Sequence, residues 1–255
     1  MKRILFVLGI AALTFTACQP DNGEMSSKDL TGIWVNTLVP GDYVETLTIT
    51  KDGNYSIASV NWKDEGKYTY EDGKLFFDEK EADYFEVNSV CGGNAMTWYY
   101  EEDETGHKDF AFIWFRKEAK FSKKLKEGRW NAYIVPEDYI ASYIFKGQEF
   151  DLYITAWGVH LKGTYTHENG FLTLNITESY KAWEITAGYK GWAAGGMDPE
   201  TFELKSPYKW YSFDKGGEDW SLYAEPFITS TFAIDTDNLA WGGLAGRSFG
   251  MHRVK

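Results

Sequence analysis

Apolar and polar residues alternate with a period of two along much of the chain. Tyr43, Leu47 and Ile49 fall on one side of such a run, with Thr46, Thr48 and Thr50 on the other. Met96, Trp98 and Tyr100 alternate in the same way, as do Phe110, Phe112 and Trp114. A period of two sends successive side chains to opposite faces, which is the signature of a half-buried strand. Turn chemistry punctuates these runs. Lys51-Asp52-Gly53-Asn54 and Glu71-Asp72-Gly73 each separate two apolar runs and read as hairpin turns, because Gly accepts positive φ. Glu101 to His107 reads as a polar turn between two further strands. After the first twenty residues no stretch carries an apolar period of 3.6 over several turns. The expected fold class is all-β: short antiparallel strands in a meander that closes into barrels, since closure removes exposed strand edges.

An internal repeat organises the meander. Gly32-Ile33-Trp34 recurs as Gly128-Arg129-Trp130, and at the same spacing Val39-Pro40 meets Val135-Pro136 and Asp42-Tyr43 meets Asp138-Tyr139. After one inserted residue, Gly66-Lys67-Tyr68-Thr69 meets Gly163-Thr164-Tyr165-Thr166, and Glu71-Asp72-Gly73 meets Glu168-Asn169-Gly170. More loosely, Phe85 and Val87 match Phe232 and Ile234, Met96 and Trp98 match Leu239 and Trp241, and Arg116 matches Arg253. The repeat predicts two domains, 29–120 and 121–255, joined by the basic segment 120–127, a linker or a helical turn. Eight residues separate Phe77 from Phe85, against 58 between Leu174 and Phe232. The second copy therefore carries an insertion at about 178–230.

The opening Gly-x-Trp, the strand ending in Asp-Gly, the Gly-x-Tyr strand and the closing strand ending in Arg resemble the lipocalin-like domains of Bacteroidota lipoproteins. The resemblance covers most of both repeats, and the insertion departs from it. It implies two lipocalin-like barrels in which Trp34 with Arg116, and Trp130 with Arg253, close one end.

The N-terminus changes where this body is expected to sit. Lys2-Arg3 followed by Ile4 to Leu13 is a charged n-region and a short apolar h-region, the grammar of a secretory signal. The apolar run is too short to cross about 30 Å of hydrocarbon. Phe15-Thr16-Ala17-Cys18 resembles a lipobox, in which the chain is cut before Cys18 and the thiol carries lipid. The expectation is a signal peptide at 1–17, a lipidated tether at 18–28 and an outer-membrane anchor, facing the periplasm or the cell surface. The acidic tether is similar to surface-export signals of the Bacteroidota.

Charge and chemistry narrow the function classes. The formal net charge is −12, and loss of Lys2 and Arg3 makes it more negative still, which disfavours nucleic-acid binding. Beyond Cys18 only Cys91 remains, so no internal disulfide is available to the mature chain, and Cys91 reads as a free thiol in a turn. Asp42 and Asp138 read as turn residues. The four His show no metal-ligand spacing, no Gly-x-Ser-x-Gly elbow occurs, and no Gly-rich phosphate cradle precedes a helix. No catalytic residue, metal or cofactor is expected. Aromatic residues make up 18 % of the chain. In the insertion Trp183, Tyr189, Trp192, Trp210 and Trp220 alternate with charged residues and glycines. Such rings stack on sugar faces, or pack on one another. The favoured reading is a non-enzymatic envelope lipoprotein that binds a glycan or an envelope protein. A carrier of a small apolar molecule is the alternative, and an envelope enzyme a remote one.

Overall fold

The protein is described from a computed structural model, which covers residues 23–37, 45–78, 84–100, 110–135, 138–154, 159–181, 211–212, 229–244 and 247–255. A two-residue strand β1 (Gly23–Glu24) and a single helical turn α1 (Ser27–Leu30) precede the first sheet. That sheet runs β2 (Gly32–Val35), β3 (Thr46–Ile49), β4 (Asn54–Ala58), β5 (Lys63–Glu71), β6 (Lys74–Phe77), β7 (Tyr84–Val90), β8 (Ala95–Tyr99) and β9 (Phe110–Arg116). Each strand is antiparallel to the next, and β9 pairs back on β2, so eight strands close a barrel. The second barrel repeats the plan. It is formed by β10 (Gly128–Val135), β11 (Asp138–Lys146), β12 (Glu149–Ile154), β13 (Val159–Glu168) and β14 (Phe171–Lys181), then β16 (Thr229–Ile234), β17 (Leu239–Leu244) and β18 (Arg247–Arg253), with β18 paired to β10. A short β15 (Tyr211–Ser212) lies on the far end of β14. The fold is thus all-β, with two closed antiparallel meander barrels.

Local sequence sets the turns. At the β5–β6 and β13–β14 hairpins both central residues have positive φ: Asp72 and Gly73 at 49° and 78°, Asn169 and Gly170 at 51° and 84°. That geometry matches the twist of paired strands and is open to Asp, Asn and Gly at little cost.

Alternation then fills each barrel. Trp34, Leu47, Ile49, Leu75, Val87, Met96, Trp98 and Trp114 form the interior of the first, and Trp130, Tyr143, Phe145, Leu152, Leu161, Leu172, Phe232 and Met251 the interior of the second. Each large side chain so buried contributes about 1.5–3 kcal/mol.

One end of each barrel is closed by the same device. The Arg116 guanidinium lies 4.2 Å above the Trp34 ring, and its Nε donates to the Gly93 carbonyl at 3.0 Å. Gly32 has φ +148°, and a Cβ there would sit 3.0 Å from Arg116 Nη1, so glycine is what lets the arginine cross. Trp34 Nε1 donates to the Leu30 carbonyl at 2.9 Å, locking the indole to α1. In the second barrel Trp130 Nε1 donates to the Lys126 carbonyl at 2.9 Å, and Arg253 Nε to that of Glu127 at 2.9 Å. Residues 23–28, expected within the tether, are built onto the first barrel. β1 pairs with β7, Ser26 caps α1 through Asp29, and Met25 is buried, with its carbonyl accepting from Tyr70 Oη at 2.8 Å.

The segment 120–127 does not hang free between the barrels. Phe121 is buried, with its ring centroid 5.7 Å from that of Phe115. Outward-facing Val35, Ile113 and Phe115 of the first barrel share one apolar cluster with Ala233, Leu239 and Trp241 of the second. The buried Asp235 carboxylate joins the two, accepting from Cys91 N at 3.0 Å and from Trp241 Nε1 at 3.1 Å. Lys123 also donates to the Asp235 carbonyl. A Cβ on Gly243 would lie 2.2 Å from the Asn36 carbonyl oxygen, so here the backbones themselves meet.

Two of the looser repeat matches shift once the strands are in register. Val87 N and Phe232 N both donate at 2.8 Å across their hairpins, to Gly73 and Gly170, so Phe232 corresponds to Val87 and Ser230 to Phe85. Met96 faces Trp114 as Ala240 faces Met251, which makes Gly242, and not Trp241, the counterpart of Trp98. A slip of one residue sends a strand side chain to the opposite face. Trp98 points into its barrel, whereas Trp241 points out and packs on Phe110 of the first barrel at 5.6 Å.

Candidate functional site at the mouth of the first barrel

The end of the first barrel opposite α1 is formed where β3, β5 and β7 begin and β4, β6 and β8 finish. Inward-facing residues near those ends are large and aromatic. Phe85 stacks on Trp98, with centroids 5.0 Å apart and planes at 29°. Phe77 meets Trp98 at 5.5 Å and Phe85 at 6.2 Å, while Phe112 meets both Trp98 and Phe85 at 6.1 Å. Tyr100 adds a ring 5.5 Å from Phe85 and is 49 % exposed. Trp98 is buried beneath these rings, whereas Phe77, Phe85 and Phe112 are only half-buried. The cluster is a filled floor edged by half-buried rings, which suits a ligand laid against ring faces.

The other side of the same rim is acidic. Tyr55, whose ring lies 4.3 Å from that of Phe77, points its hydroxyl at two carboxylates: Asp64 at 3.0 Å and Asp78 at 3.1 Å. One phenolic proton serves two acceptors, so one contact at a time lacks a donor. Burial, followed by those two carboxylates, pushes the Tyr55 hydroxyl well above the ordinary tyrosine range and keeps it protonated. Asp78 Oδ1 also accepts from Lys67 N at 3.2 Å and occupies the space above Gly66 where a Cβ would be. No basic side chain among the described residues pairs with Asp64 or Asp78. A third carboxylate, Glu45, follows Asn36 in the β2–β3 ladder and faces inward. Asn36 Nδ2 donates to it at 2.9 Å, and burial raises its pKa against that hydrogen bond.

Among the described residues the second barrel lacks this surface. By register, Glu45 corresponds to Ala141, Asp64 to Leu161 and Tyr55 to Phe150. Phe85 becomes Ser230 and Trp98 becomes Gly242, and a Cβ at Gly242 would lie 2.1 Å from the Phe249 ring. The same barrel thus closes without the acids or the ring cluster, so neither is a requirement of the fold.

The second barrel has its own polar group, on the outer wall. His160 Nε2 lies 2.7 Å from Asp151 Oδ1, Lys162 Nζ is 3.7 Å from the same oxygen, and the imidazole stacks on Tyr153 at 3.8 Å. Burial lowers the His160 pKa, more than Asp151 raises it, so the ring is neutral and donates to the carboxylate. That hydrogen bond holds Asp151 below its ordinary value in spite of the carboxylate's own burial. With His160 3 % exposed, the pair reads as a buried structural network.

The other sequence candidates divide as follows. Cys18 and the ring set Trp183, Tyr189, Trp192, Trp210 and Trp220 lie outside the described residues, as does Asp42, and Asp138 opens β11. Trp34, Arg116, Trp130 and Arg253 sit at the closed ends. Cys91 begins a short 3-10 turn (Cys91–Gly93) beside the interface; burial and the nearby Asp235 push its thiol pKa up, which makes it a poor nucleophile. Among the described residues no group of three His, Cys, Asp or Glu is placed to hold a metal ion. The mouth of the first barrel is not marked in the sequence, because its rings alternate as core rings do and composition does not separate a filled core from a stacking surface. The available signal was that Phe77, Phe85, Tyr100 and Phe112 all fall at strand ends on one side of the meander. No protein-family model matches the chain, and no curated protein does.

Proposed function

We propose that this protein is a cell-envelope lipoprotein, held at the outer membrane by lipid on Cys18, that binds a ligand without turnover at the ring-lined mouth of its first barrel. The observation that carries this reading is the internal comparison. Two copies of one fold differ where Phe77, Phe85, Trp98 and Tyr100 gather beside Asp64, Asp78 and Glu45. Half-buried rings with hydrogen-bonding carboxylates suit a glycan, or a peptide or small molecule of similar surface. The test is to screen the mature chain against immobilised glycans and small amphiphiles, then repeat with Phe85→Ala/Tyr100→Ala. Binding lost in that variant supports the mouth, and binding that survives it places recognition elsewhere. Incorporation of a palmitate analogue by the wild type, and not by Cys18→Ala, is the expected result for the anchor; equal labelling of both forms contradicts it.

A second reading has one specific observation in its favour. Around the upper interior of the second barrel stand the small residues Ala132, Ala141 and Ser230. Ser230 Oγ is buried there with no hydrogen-bond partner. A small apolar molecule with one polar atom would fit a carrier role at that place. Uptake of such a molecule that is abolished by Ser230→Leu and indifferent to Phe85→Ala favours it.

A further inference from the structure

We infer that the ligand taken at the mouth of the first barrel is an organic cation: an ammonium group on a small apolar body, with an oxygen acceptor within a few bonds. This rests on the reading of that mouth as the binding surface and adds the charge and chemistry of what binds. Three observations point the same way.

The first is the sign of the charge. The charged side chains that face inward at the rim among the described residues are Glu45, Asp64 and Asp78, all acidic. The basic side chains on the adjoining strands point elsewhere: Lys63 is engaged with Glu65 on the outer face, and Lys74 lies over the Tyr84 ring on the outer face. An acidic opening concentrates cations and repels anions.

The second is the placement of π-faces beside those acids. The Tyr55 ring, whose hydroxyl touches Asp64 and Asp78, is also the ring that abuts Phe77, and Phe77 leads directly to Phe85 and Trp98. Ring faces and carboxylates in contact make a cage for an alkylammonium. The cage supplies cation–π attraction on one side and Coulomb attraction on the other, without full desolvation of a bare ion.

The third is a donor without an acceptor. Trp98 is 1 % exposed and points into the barrel beneath Phe85, yet its indole N–H has no hydrogen-bond partner. A buried unpaired donor is costly and is relieved by an oxygen brought in from outside. In the second barrel the same place is Gly242, and no such donor exists. Trp114 Nε1, one layer deeper, is also without a partner, so Trp98 is the nearer of two such donors. Taken as one ligand, the cation sits at the acidic rim and its oxygen reaches Trp98 by displacing the half-buried Phe85 ring.

Titration calorimetry of the mature chain with a matched pair of probes tests this. Butyrylcholine carries the ammonium and an ester oxygen; 3,3-dimethylbutyl butyrate has the same shape with carbon in place of the charged nitrogen. The expected result is that butyrylcholine binds about tenfold more tightly or better, the size of one cation–π or screened charge contact. Asp64→Asn/Asp78→Asn, which keeps both acceptors for Tyr55, is expected to remove most of that preference. Far-ultraviolet dichroism and the melting curve confirm that this variant is folded. Equal affinity for the two probes, or a preference that survives the double variant, overturns the cation inference and leaves the mouth as a binding surface. No binding of either probe overturns both.

Discussion

The two barrels of this chain share strand order, hairpin turns and the Trp–Arg closure, and differ at the opposite end. The first has Trp98, Phe85 and Phe77 where the second has Gly242, Ser230 and Leu174. It also has Glu45, Asp64 and Tyr55 where the second has Ala141, Leu161 and Phe150. A fold that closes equally well on both sets separates what the barrel needs from what has been added to it. The closed ends carry the architecture, and the rim of the first barrel carries acids and rings that the fold does not require. The barrels are also not independent beads: Asp235, Trp241 and Phe121 pack the outer walls against one another.

The comparison can be broken most severely at its bulkiest difference. Trp98→Ala should cost about 3–5 kcal/mol, since a buried indole leaves a cavity that a closed barrel cannot collapse. Chemical denaturation followed by dichroism reads the shift, and a loss under about 1 kcal/mol would show that this end of the first barrel is not packed as described. The reverse change is smaller. Gly242→Ala forces a Cβ against the Phe249 ring and should cost about 1–3 kcal/mol, as overpacking does. A neutral result there would mean that the second barrel has room that its register denies.

The closed ends should respond alike. Arg116→Gln and Arg253→Gln each remove charge-assisted hydrogen bonds to carbonyls, part-buried at Arg116 and exposed at Arg253, and the first also removes a contact over Trp34 worth about 0.5–1 kcal/mol. Arg116→Gln should therefore be the more costly of the two. A large cost for one and none for the other would contradict a shared closure.

The smallest expected difference is in acid. His160, His167 and His252, all in the second barrel, have pKa values lowered from 6.5, chiefly by burial. The unfolded chain therefore binds more protons than the folded one. Stability from these groups is complete above about pH 6.5 and is lost as the pH falls through that value towards the folded ones. In the first barrel burial raises the Glu45 pKa from 4.5, so protonation there favours the folded form. Hydrogen exchange, corrected for its intrinsic pH dependence, should show β12, β13 and β18 losing protection between pH 7 and 5.5 while β3 and β4 keep theirs. Equal loosening of both barrels would remove the distinction.

Much of the architecture could be read before any coordinates, because it rests on local rules. Alternation names strands, Asp-Gly and Asn-Gly name hairpins, and a repeat of Gly-x-Trp doubles the unit. What escaped was non-local. The matching of Trp98 to Trp241 failed because similarity of residue type is blind to a one-residue slip, and register is set by pairing with β9 and β18. The interface escaped because outward apolar residues such as Ile113 and Trp241 look like ordinary core positions in a sequence. Residues 23–28 read as tether because one capped turn is too short to show a period. The ring set at the mouth escaped for a related reason: five aromatics far apart in sequence become one surface only when the barrel closes.

The most direct test of this account is a chemical-shift map of the isotope-labelled mature chain during titration with butyrylcholine. The account predicts a downfield move of the Trp98 indole N–H proton as it gains an acceptor, with shifts at Phe85, Tyr100 and the Asp64–Asp78 rim, and none at Gly242 or Phe249. Shifts confined to the second barrel, or an unmoved Trp98 indole at saturation, would contradict it.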